Sequence, residues 1–100
     1  MSKLSEATDI SQRVKKIVWE RDSGCCIICN KHGYGVMPNS HYIRRSKGGL
    51  GIPENVGTMC IECHNAYDNG ERREDIGLKF KEYLKSRYPN WNEEDLIYRK

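Results

Sequence analysis

The chain has 100 residues, 37% hydrophobic and 31% charged, with a net charge of +3. That length allows one small domain whose core lies near the lower limit for folding on burial alone, so a covalent or metal staple is expected. No apolar run approaches the ~20 residues that span a bilayer, and the opening MSKLSEATDI lacks the apolar stretch of a signal peptide, which reads as a soluble protein of a reducing, cytoplasmic compartment.

In chain order, residues 1–8 read as a flexible lead-in. From Asp9 or Ser11, either a plausible N-cap, the apolar residues Ile10, Val14, Ile17 and Val18 recur at helical spacing, predicting a helix over 11–21 that ends at Asp22-Ser23-Gly24. A cysteine knuckle, CCIICNKHG, follows, and then an extended segment over 36–43 whose regularity Pro38 limits. Residues 46–54, rich in glycine and containing Pro53, read as a loop, and 56–59 as a second short strand. A helix is expected from about Cys63 to Asp68, stopped by Asn69-Gly70. Another over 72–87 puts Ile76, Phe80, Tyr83 and Leu84 on one face. The tail forms a last short helix capped by Asn92, with Trp91 packing back. No repeat or second domain is visible, so 1–100 reads as a single small α+β domain with residues 72–100 as a helical extension.

Five cysteines in a reducing compartment point to metal or catalysis and not to disulfides. Cys26-Ile-Ile-Cys29 and Cys60-Ile-Glu-Cys63 form two Cys-x-x-Cys pairs, and two such pairs complete a closed tetrahedral site. The 30 residues between the pairs are enough for a β-hairpin and its loop. Zn2+ held this way is structural, because all four positions are filled, and it contributes roughly 10 kcal/mol or more to folding. Redox thiols and a rubredoxin-type iron site are the competing readings. Cys25, which would break the spacing, reads as a small buried hydrophobe, and His32 as an exposed loop residue.

A purely structural ribbon needs nothing special between its knuckles, yet this one carries His41, Gly48-Gly49, Asn55 and then His64 directly after the second knuckle. Phosphodiester hydrolysis needs a base for water, a group that orients the base, and a metal at the phosphate. His41 on a strand end, held by an Asn amide or by backbone, suits the base and its orientation, and His64 on the opposing helix suits the metal. Asp68, four residues after His64, shares its helix face, so the two make half a shell for a hard or borderline divalent cation.

The stretch 21–68, RDSGCCIICN…SHYIRRSKGGLGIPENVGTMCIECHNAYD, resembles the zinc-ribbon kind of HNH endonuclease. The resemblance covers about half the chain and implies a ββα-metal (His-Me finger) core stapled by the four-cysteine zinc site. It implies His41 as general base, Asn55 as its positioning residue and His64 as ligand of a catalytic Mg2+, Mn2+ or similar ion. Many small members of that family come from bacteriophages or prophages, so DNA processing during packaging is the analogous setting. One departure stands out: where the family has an Asp or His before the base, this chain has Ser40. A hydroxyl is a poor ligand, so either water takes the place, or Asp68 carries more of the coordination, or the metal binds weakly.

Residues 31–53 contain Lys31, Arg44, Arg45 and Lys47 and no acid, a distribution suited to a phosphate backbone. Arg45 is placed nearest the scissile phosphate, where it would stabilise developing charge. No helix carries an obvious base-reading pattern. The expectation is a metal-dependent endonuclease that nicks or cuts double-stranded DNA with low sequence specificity. A non-catalytic zinc-ribbon module that binds DNA or protein is the alternative.

Overall fold

The computed structural model describes residues 3–99. In chain order the elements are α1 (Lys3–Thr8), α2 (Gln12–Arg21), β1 (Met37–His41), β2 (Val56–Met59), α3 (Ile61–Asp68) and α4 (Arg73–Arg87). Single 3-10 turns at Arg45–Lys47, Pro53–Asn55 and Glu93–Leu96 interrupt the connections. The result is a small α+β fold around a two-stranded antiparallel sheet. Among the described residues, no helix is long and apolar enough to cross a membrane.

The segment expected as a flexible lead-in differs. Residues 3–8 form α1, which buries Thr8 and is anchored where Gly51 N donates to the Ala7 carbonyl at 3.0 Å. Residues 1 and 2 lie outside the described residues. The sequence hid this helix because it is short and held at its C-terminal end by polar contacts to residues distant in the chain instead of by an apolar face.

Elsewhere the local signals act as expected. Ser11 caps α2, its Oγ accepting from Val14 N at 3.1 Å. Of the apolar residues assigned to that helix only Val18 is fully buried, while Ile17 remains 40% exposed. β1 and β2 pair His41 with Val56, Ser40 with Gly57 and Met37 with Met59, and the register slips between Met37 and Ser40, the interval that contains Pro38. Gly57 is required where α4 crosses the sheet: a Cβ there would lie 2.7 Å from the Phe80 ring and 2.6 Å from Ile27.

α4 buries Ile76, Phe80 and Leu84, one residue per turn, against Val36, Met59, Tyr67 and the buried cysteines. Tyr42 stands edge-on to both Phe80 and Trp91. Trp91 packs back as expected, its Nε1 donating to the Glu54 carbonyl at 2.7 Å, and Asn92 caps the last turn. The tail also straps the glycine loop: Leu50 N donates to Leu96 O at 2.8 Å and Tyr98 N to Gly48 O at 2.7 Å.

A polar hub joins these layers. The Arg21 side chain, 10% exposed, pairs with the fully buried Asp22 carboxylate at 2.7 Å and donates to the Pro53 and Val56 carbonyls. Asp22 accepts in turn from Thr58 N and the Tyr83 hydroxyl, tying α2 to β2 and α4. Burial opposes the guanidinium charge, but the bonds to Asp22 and Tyr88 outweigh it and the Arg21 pKa is raised.

Candidate metal centre and polar cleft

Two sites emerge from this frame. At the first, Cys26, Cys29, Cys60 and Cys63 bring their Sγ atoms within 4.8 Å of one another, with Cys29 and Cys60 3.7 Å apart. Thiolates at ~2.3 Å from a tetrahedral Zn2+ stand ~3.8 Å apart, so the set suits a four-sulfur metal site. Local turns deliver the pairs. Cys26 N donates to Lys31 O at 2.8 Å, and Asn30 adopts a positive φ of 66° to close the first knuckle. Cys60 caps α3, its sulfur accepting from Cys63 N at 3.4 Å. Burial pushes the Cys60 and Cys63 thiols up from their ordinary value. A bound cation would supply the charge that favours their thiolate forms. Cys25 stays outside the cluster and is only half-buried, with its sulfur 3.4 Å from Ser23 O, not the buried hydrophobe expected. His32 is exposed, as expected.

The second site is a cleft of about 860 Å³ lined by His41, His64, Asp68, Arg44 and Arg45, with Asn39 and Lys15 also on its walls. His41 closes β1, His64 and Asp68 project from consecutive turns of α3, and the arginines belong to the segment leaving β1. Nε2 of His64 and Oδ2 of Asp68 are 2.8 Å apart. That is near the ~3.0 Å between adjacent donors of an octahedral shell with ~2.1 Å bonds.

His41 is half-buried, and its Nε2 lies 2.8 Å from the Thr8 carbonyl in α1. A carbonyl only accepts, so Nε2 carries the proton and the lone pair of the neutral ring is on Nδ1. Desolvation lowers the His41 pKa; the Thr8 carbonyl pulls it up, and Arg45 pushes it down again. The lowered His41 pKa favours the neutral ring at pH 7, the form able to accept a proton.

The remaining expected residues are placed less directly. Asn55, fully buried, does not bond to the His41 ring: its Oδ1 accepts from Ile43 N at 2.8 Å, and its Nδ2 donates to Ile43 O at 3.1 Å and Leu50 O at 2.8 Å. Together with Tyr42 N donating to Asn55 O at 2.8 Å, it holds the backbone that follows His41. Ser40 is 1% exposed and does not line the cleft; adjacent strand residues face opposite sides, so Asn39 and His41 share the cleft face without it. Arg45 is ion-paired with Asp9 at the end of α1, and its Nε donates to Thr8 Oγ1 at 3.4 Å.

Arg44 reaches the Asp68 carbonyl at 3.5 Å. Lys47 lies outside this cleft, in a neighbouring hollow with Arg44 and Lys81. Lys31 sits apart, 3.4 Å from Glu62 at the knuckles. The sequence reading missed Thr8, Asp9, Lys15 and Asn39. Asp9 entered that reading only as a candidate helix cap, and the one sequence signal for Lys15 is its place among the basic residues Arg13, Lys15 and Lys16.

Compared with protein-family models, curated proteins and solved structures, the chain matches none.

Proposed function

We propose that this chain is a metal-dependent DNA endonuclease of the HNH type, with a ββα-metal core stapled by zinc at Cys26, Cys29, Cys60 and Cys63. The observation that carries this reading is the meeting of His41, His64 and Asp68 in one cation-rimmed cleft. Lys15, Arg44 and Arg45 line the path of a phosphate backbone, a contact that gives affinity without sequence information. Arg45 engages phosphate by exchanging its Asp9 partner for it.

His41 acts through Nδ1, which takes a proton from water as the water oxygen bonds to phosphorus and the bond to the 3′-oxygen breaks. The leaving oxygen is protonated from solvent. Thr8 holds the ring by Nε2, and Asn55 acts on it through the backbone of Tyr42 and Ile43. His64 and Asp68 would hold Mg2+ or Mn2+, whose bound charge would neutralise the scissile phosphate and the leaving oxygen.

The test is cleavage of supercoiled plasmid by wild type and His41→Ala with Mg2+, Mn2+ or EDTA. Metal-dependent nicking or linearisation by wild type alone is expected. If neither cuts while both stay folded and zinc-loaded, the chain is a non-catalytic zinc-ribbon binding module, a reading favoured by Ser40 standing where the family has a ligand.

A further inference from the structure

His64 and Asp68 give the cleft two donors within 2.8 Å of each other, and a further donor residue lines the same cleft. Asn39 lines the cleft with His41, His64 and Asp68. Its Oδ1 is buried and has no hydrogen-bond partner. A buried amide acceptor left unpaired costs about 1–3 kcal/mol, so such groups are nearly always satisfied. Among the described residues the other two buried side-chain polar atoms without a partner are the hydroxyls of Ser40 and Thr58, residues 1% and 0% exposed that do not line the cleft. Of these three orphans Asn39 is the one whose residue lines the cleft, where a small rotation of its side chain would turn the amide oxygen to a ligand.

The donor chemistry selects among ligands. A phosphate oxygen is itself an acceptor and cannot satisfy an amide oxygen. Water can, and so can a cation. Amide oxygen, carboxylate and imidazole together suit Mg2+ or Mn2+ better than a soft metal. We infer that Asn39 Oδ1 is the third protein ligand of the divalent ion held by His64 and Asp68, replacing the residue directly before the base. The inference rests on the endonuclease reading for the ion's function, but the ion's binding is measurable without cleavage.

The experiment titrates zinc-loaded protein with Mn2+ and follows the free-ion signal by electron paramagnetic resonance, with plasmid cleavage run on the same preparations. Asn39→Ala is expected to weaken Mn2+ binding by roughly 10-fold or more. Asn39→Asp, which keeps the oxygen and adds charge, should bind Mn2+ more tightly than wild type. Ser40→Ala should bind as wild type does, because it removes only an unpartnered hydroxyl. Unchanged affinity in Asn39→Ala alongside loss in His64→Ala would overturn Asn39 as a ligand and leave the endonuclease reading intact. A wild type that cuts plasmid yet retains no Mn2+ would likewise overturn the inference alone. Neither binding nor cutting by the wild type would remove both.

Discussion

Replacing Asn55 with alanine isolates how the loop after β1 is held. The side chain makes three hydrogen bonds, to Ile43 N, Ile43 O and Leu50 O, at 2.8–3.1 Å. Each is worth about 1 kcal/mol net, and the three backbone groups left behind are only partly reachable by water, so the loss should be about 3 kcal/mol. That is a large share of the 5–15 kcal/mol typical of a domain. With a urea slope of about 1–1.5 kcal/mol per M, the midpoint should fall by roughly 2–3 M. Asn55→Asp should be at least as damaging, since it keeps the acceptor for Ile43 N but turns an oxygen toward two carbonyls. The assay is urea unfolding of zinc-loaded protein followed by circular dichroism. A loss under about 1 kcal/mol, or an aspartate variant more stable than the alanine one, would refute the assignment of Asn55 as a staple of this loop.

Further outcomes follow from the other sites. Cys60→Ser should leave the chain unfolded or nearly so, because a structural zinc contributes about 10 kcal/mol or more; a melting transition like that of wild type would contradict this. Purified protein should be colourless and release one zinc per chain to a chelator, whereas a coloured protein would hold iron. Asp22→Ala leaves the Arg21 charge buried and unpaired and should cost about 3–5 kcal/mol by chemical denaturation; a cost under 1 kcal/mol would mean that water reaches the guanidinium.

If the chain cleaves DNA as proposed, the pH dependence of that cleavage has a definite sign. The His41 pKa is lowered by burial and, in part, by Arg45, and only the neutral ring accepts a proton. Activity should therefore persist below pH 6.5 and fall as pH drops through the lowered pKa. Arg45→Gln should move that limb upward, whatever it does to the plateau; a limb that moves down would show that Arg45 does not act on the ring.

Much of this molecule was legible from short-range pattern. Two-residue gaps between cysteines, the Ser11 and Asn92 caps, the four-residue apolar spacing of α4 and the His64–Asp68 pair are all relations among neighbours in sequence. Helical and turn geometry alone turns them into structure. Pro38 likewise foretold the slip in the β1–β2 register. The resemblance to HNH endonucleases singled out His41, His64 and Asn55, but not how they are held.

What folding decided lies in contacts between segments far apart in the chain. Thr8 meets His41 across 33 residues and selects which ring nitrogen is free. Asp9 captures Arg45 across 36. Asn55, expected beside the base, instead binds the loop backbone because burial forces its amide onto the nearest unpaired peptide groups. The side of a strand is also a tertiary matter. Sequence places Ser40 next to His41, but the packing of β1 against β2 buries the serine and leaves Asn39 on the cleft, since alternate residues of a strand share a face and adjacent ones do not.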